Sequence, residues 1–269
     1  MGKKLARPTP LPLARAADEF LLCTVLLFVV VTMVRWLRAP DSPLYIAGLH
    51  NALAVLGPLS GVVLVALIYS PPGRRSGGHM NPAVTIGLWL TDAFPGASVL
   101  PYVALQLGGS LLGTELGQLA WGSAAAGPTV GDAALRPGPG WGTSAVFLAE
   151  TASVIVVILL VGHFLAHPAY SRWLPPTVGL FVATLIVVLG AYSGGSANPA
   201  RQFGPAIISA QTTLLWVYLL APVVGAILGA SVHHLLFRRF QIREPLSYKL
   251  DGSGSMPPAD TPVAAAQTS

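Results

Sequence analysis

Charge is scarce in this chain. Asp, Glu, Lys and Arg make up 9% of its 269 residues, against about 25% in an ordinary soluble domain. Such a surface cannot be kept in water, and a mean hydropathy of +0.67 makes lipid the expected solvent. Cysteine is nearly absent. Cys23 stands alone in an apolar run, which excludes an internal disulfide and a cysteine-rich metal site and leaves a small buried thiol. No nucleophile–base constellation or cofactor motif is visible, so neither an enzyme nor a cofactor or metal is expected. The net charge of +5 gathers on no single face. The basic residues sit between apolar runs and at the ends, which excludes a nucleic-acid partner and fits membrane topology.

What is abundant is apolar sequence. Six stretches reach the length of about 20 residues that a spanning helix needs, near 17–36, 49–69, 99–121, 143–166, 175–194 and 214–237. The first follows Lys3, Lys4, Arg7 and Arg15. It is long enough to span and is read as a retained helix rather than a cleaved leader. With the N-terminus inside, Arg74, Arg75, Arg172, Arg238, Arg239, Arg243 and Lys249 join those four on the cytoplasmic side. Only Arg35, Arg38 and Arg136 fall in outer loops. Both termini are therefore expected in the cytoplasm. Residues 1–16 and 238–269 read as tails, the second largely disordered from its Gly/Ser/Pro/Ala composition.

Two segments repeat. Ser76-Gly77-Gly78-His79-Met80-Asn81-Pro82-Ala83-Val84 and Ser193-Gly194-Gly195-Ser196-Ala197-Asn198-Pro199-Ala200-Arg201 agree at six of nine positions, 117 residues apart. Each opens an apolar run too short to cross, to about Thr91 and about Ala210, and so reads as a re-entrant half-helix. Three spans per half is an odd number, so the halves are inverted with respect to each other. The expectation is an all-α membrane protein with six transmembrane helices and two half-helices. Repeat one covers about 17–122 and repeat two about 143–237, and the Gly/Pro/Ala-rich stretch between them is an outer connecting loop.

Asn before Pro starts a helix well: Asn caps, and Pro lacks the N–H that would be left unpaired. Two such starts from opposite faces bring positive dipole ends together near the midplane. Gly77, Gly78, Gly194 and Gly195 allow extended backbone to present carbonyls to the lumen. Converging positive potential repels cations and protons, while amide donors still hold a neutral oxygen. Glu19 and Glu150 open the first and fourth spans. A carboxylate at that depth needs a specific partner, and bracing the re-entrant loops is the preferred role over carrying protons. His79, where the other copy has Ser196, is read as a loop brace rather than a gate.

The paired Asn81-Pro82-Ala83 and Asn198-Pro199-Ala200 boxes, the trailing Arg201 and the two early glutamates resemble the aquaporin, or major intrinsic protein, family over about 17–237. Gly61–Ser70 and Trp216–Pro222 are similar to its nodulin-type branch, which includes metalloid-acid channels. The resemblance implies a homotetramer in the plasma membrane with one pore per subunit. It also implies a four-residue outer filter, which a gap-free count places at Gly61, Ile186, Gly195 and Arg201. That set lacks the aromatic and histidine of a water-only filter. Gln202 stands where glycerol facilitators resemble one another in an Asp. The implied solutes are small uncharged polyhydroxy species such as arsenous, boric or silicic acid, with glycerol and water. The alternatives are a channel mainly for water and, on weaker grounds, a coupled transporter, for which no paired intramembrane carboxylates lie near the motifs. Gln106 and Glu115 in the third span have no assigned role. His163, His167, His233 and His234 read as interfacial rather than metal-binding.

Overall fold

The computed structural model describes residues 10–237; the tail residues outside this range, among them Lys3, Lys4, Arg7, Arg238, Arg239, Arg243 and Lys249, lie outside the described residues. Helices account for the regular structure. The long ones are α1 (Leu13–Arg38), α2 (Leu49–Tyr69), α5 (Val99–Trp121), α7 (Thr143–Ala166), α8 (Leu174–Leu189) and α10 (Leu215–Phe237), and the half-helices are α4 (Pro82–Leu90) and α9 (Pro199–Ile208). Short helices α3 (Pro71–Ser76) and α6 (Ser123–Ala126) lie in connections.

Two boundaries differ from expectation. α1 begins at Leu13 rather than residue 17, because Leu13-Ala14-Arg15-Ala16 are good helix formers and continue the apolar run outward. α8 stops at Leu189 rather than near Gly194. There Ser193 and Gly194 both donate to the Leu189 carbonyl, and Gly194 turns at φ 96°. Among the described residues, five stretches are long and apolar enough to cross a membrane by composition; α5 is not among them. Its Gln106, Ser110 and Thr114 are fully buried against protein, while Leu100 and Leu119 of the same helix are exposed, so its polar residues lower the mean hydropathy without reaching the outer face.

The inverted duplication is visible in the packing. α1 pairs with α5 and α7 with α10, while α2 against α8 joins the halves. The half-helices cross over: α4 packs on α10 and α9 on α5. Small residues make the close approaches. A Cβ on Gly113 would lie 2.2 Å from the Thr24 carbonyl, and one on Gly204 would lie 2.2 Å from that of Ser110. Gly109 and Gly113, residues that permit tight packing, are thus spent on α1 of the same chain. Leucines such as Leu100, Leu119, Leu148 and Leu180 are exposed on the outside, the surface a lipid solvent requires.

Candidate functional site

The two Asn-Pro-Ala boxes meet as mirror images. Asn81 (φ −156°, ψ 113°) and Asn198 (φ −154°, ψ 112°) have the same backbone and cap their own helices. Asn81 Oδ1 accepts from Ala83 N–H at 2.9 Å, and Asn198 Oδ1 from Ala200 N–H at 2.9 Å. Each amide then crosses to the other half. Asn81 Nδ2 donates to the Ala197 carbonyl and Asn198 Nδ2 to that of Met80, both at 2.9 Å. An amide NH2 has two donors, so each Asn keeps one for the lumen. The preceding glycines are not extended, contrary to expectation. Gly77 and Gly194 (φ 98° and 96°) and Gly78 and Gly195 (both φ 59°) turn into the left-handed region that glycine tolerates.

Each loop is held by a buried carboxylate. Glu19 accepts from Ser76 Oγ (2.6 Å), His79 N (2.9 Å), Met80 N (2.6 Å) and Gln106 Nε2 (2.8 Å). Glu150 accepts from Ser193 Oγ (2.9 Å), Ser196 N (3.1 Å) and Ala197 N (2.6 Å). Gln106, unassigned in the sequence, fills the fourth place on Glu19. His79 Nδ1 lies 3.0 Å from Thr85 Oγ1, and its ring packs edge-on to Phe94. Tyr102 and Tyr218 escaped sequence reasoning. Their hydroxyls donate to the carbonyls of Ser76 (2.9 Å) and Ser193 (2.6 Å), one per loop. The available signal was their separation, which equals the motif spacing to within one residue.

A cavity of about 340 Å³ runs past both boxes. Its lining includes Gly77–Met80 and Gly194–Ala197 with Asn81 and Asn198, and the aliphatic Val157, Val161, Val178 and Val182. Ile186, Gly195 and Arg201 line it as expected. Gly61 does not. It faces α8, where a Cβ would stand 2.5 Å from the Gly179 carbonyl, and Ser60 lines the cavity instead. One residue turns a helix by about 100°, so a gap-free count that is off by one moves a wall residue into a helix contact. Glu115 is half-buried and faces no part of the cavity lining.

The loop between the two repeats also forms part of the wall. Pro128–Gly131 and Ala133–Arg136 line the cavity, which the reading of a plain connector missed. Arg201 Nη1 donates to the Ala133 carbonyl at 2.9 Å. Burial pushes the neighbouring Asp132 carboxyl above its ordinary value; Glu115 adds to the shift, and a hydrogen bond from Gln118 opposes it. Among the described residues no cluster of three or more His, Cys, Asp or Glu is placed to hold a metal ion.

The arrangement joins two asparagine amides and Arg201, aliphatic side chains along the same cavity, and two capped helix N-termini. It suits passage of a neutral hydrogen-bonding solute and disfavours a cation. The similarities to known proteins agree with it. The probable aquaporin AqpM of Archaeoglobus fulgidus is 36% identical over 198 residues, covering 71% of this chain and 79% of the relative. Aquaporin AqpM of Methanothermobacter marburgensis is 38% identical over 200 residues, with the same shares. Nodulin-26 of Glycine max is 34% identical over 179 residues, covering 65% of this chain and 63% of the relative. Among solved structures, the aquaglyceroporin from Plasmodium falciparum superposes with a TM-score of 0.70 at 20% identity, over 84% of this chain and 97% of that one, and so shares the fold. Residues 11–233 match the Major intrinsic protein family, and the chain belongs to that family of passive channels for small solutes.

Proposed function

We propose that the channel passes small uncharged polyhydroxy solutes, namely arsenous, boric or silicic acid, together with glycerol and water, and turns back ions and protons. One observation carries the reading: no Phe, Tyr or Trp is among the cavity-lining residues. The proposed filter combines Ile186, Gly195 and Arg201 with Ser60 in the place first given to Gly61. Such a ring is wider and less polar than an aromatic–histidine ring, while the guanidinium, with one N–H held by Ala133, keeps up to four fixed donors for solute oxygens. The aliphatic side chains suit the carbon or metalloid face of such a solute, and Asn81, Asn198 and Arg201 suit its hydroxyls.

Ion exclusion rests on the converging N-termini of α4 and α9 and on Arg201. The same reading places both termini in the cytoplasm, the chain in the plasma membrane and four copies in the assembly, each with its own pore. The channel unit is taken as residues 13–237. Stopped-flow swelling of proteoliposomes in arsenous acid, glycerol and water tests the solute. Flux of all three is expected, and water flux with no flux of either larger solute overturns the reading.

A further inference from the structure

We propose that Gln202 is a positioning residue that sets the aperture of the outer filter by latching the outer loop to α9. The proposal rests on the reading above, in which the constriction at Arg201 chooses the solute.

The loop is built against its own backbone preference. Gly131, Asp132 and Ala133 are successive left-handed residues, at φ 51°, 51° and 63°. Outside glycine that conformation is strained, and Asp bears it better than Ala. Local backbone bonds, from Gly131 N to the Gly127 carbonyl (2.7 Å) and from Ala133 N to that of Val130 (2.9 Å), shape the turn, and side-chain bonds tie it to the rest of the molecule. Gln118 Nε2 donates to Asp132 Oδ2 at 3.2 Å, and Arg136 Nε donates to the Gln211 side-chain carbonyl.

Gln202 makes the most complete of these ties. It is 1% exposed, and its amide meets both backbone groups of Leu135. Leu135 N–H donates to Oε1 at 2.8 Å, and Nε2 donates to the Leu135 carbonyl at 3.1 Å. Two consecutive residues of α9 thus grip the loop two residues apart: Arg201 on Ala133, Gln202 on Leu135. Leu135 in turn packs against Gly194, where a Cβ would fall 3.0 Å from its own Cβ.

Gln202 itself is not among the residues that line the cavity, so it cannot choose a solute by touching it. It acts through Ala133. The position of that carbonyl decides which guanidinium N–H is occupied by protein and which face the lumen. Released from Gln202, the loop moves outward. The mouth then widens, and Arg201 loses the acceptor that fixes its plane.

The test compares proteoliposomes of the full chain with Gln202→Met, which keeps the volume and removes both bonds, and with Gln202→Glu, which sets a carboxylate oxygen against the Leu135 carbonyl. The quantity read is the ratio of glycerol to water permeability, which does not depend on how many channels each vesicle holds. Both variants are expected to raise it about fivefold, a modest change in barrier. An unchanged or lowered ratio in either variant overturns the latch, and Gln202→Glu decides alone if Gln202→Met does not reach the membrane. A native channel that passes only water would sink the solute reading by itself. The latch would then be judged by whether glycerol flux appears in the variants, and its absence would overturn the latch.

Discussion

The side-chain amide of Asn81 donates to the backbone carbonyl of Ala197 at 2.9 Å, and Asn198 returns the bond to Met80. Each asparagine therefore starts its own half-helix and fastens the loop of the other half. The centre of the channel is one hydrogen-bonded unit made from both repeats.

Asn81→Ala removes a helix cap and a cross-half bond together and leaves the Ala197 carbonyl unpaired. A loss of about 2 kcal/mol is expected. Thermal unfolding of the detergent-solubilised protein measures it, and Asn198→Ala should behave alike because its geometry is the same. A large difference between the two would contradict the mirrored arrangement.

Glu19→Gln places an NH2 where the carboxylate accepts only donors. With four accepted bonds at stake, a cost of about 3 kcal/mol or more is expected, seen as low yield of folded protein. Glu150→Gln, with three, should be milder. Neither change should produce a proton-coupled flux phenotype, since both carboxylates are occupied as acceptors. Uptake that followed a proton gradient in native protein but not in these variants would overturn the bracing role.

Ser60→Trp should cut glycerol flux about tenfold while sparing most water flux, as narrowing a pocket wall does. Ile186→Trp should do the same. Gly61→Trp should not act as a filter change at all. Its side chain would enter the α2–α8 contact, so the expected outcome is failure to assemble, read by size-exclusion chromatography. A well-folded Gly61→Trp channel with reduced glycerol flux would restore the original assignment.

Asp132 predicts a pH dependence. Its carboxyl lies above the ordinary range in the folded protein because of burial. A group raised on folding binds its proton more tightly in the native state. Its stabilising contribution is therefore complete below about pH 4 and is lost as pH rises through the folded value. Asp132→Asn, which keeps an acceptor for Gln118 and tolerates the left-handed turn, should unfold at a higher temperature than native protein at pH 7. The gap should close near pH 4. Melting curves at the two pH values decide it, and a gap that widened on acidification would reverse the sign.

The parts of this protein that were legible in its sequence are those with local causes. An Asn-Pro start and a run of about 20 apolar residues are each written in adjacent residues of the chain. Glu19 and Glu150 were legible because a carboxylate at membrane depth demands partners, and the re-entrant loops were where unpaired donors would be. The tyrosines brace the same loops, yet a tyrosine in a span has many uses, and only the repeat spacing could have singled out Tyr102 and Tyr218.

What tertiary structure alone decided depends on rotation and on long-range pairing. Counting along α2 located the right turn of helix but not the right face, and about 100° of rotation separates Gly61 at the α8 contact from Ser60 in the cavity wall. The loop between the repeats has no periodicity to read. Its place beside Arg201 comes from bonds to α5 and α9, formed by Gln118, Arg201 and Gln202 with residues 14, 68 and 67 positions away. By itself the sequence determined a duplicated, inverted channel, because helix starts and membrane spans are written in adjacent residues. The wall that meets the solute was set only on folding, because its members are brought together by contacts that no stretch of the chain contains.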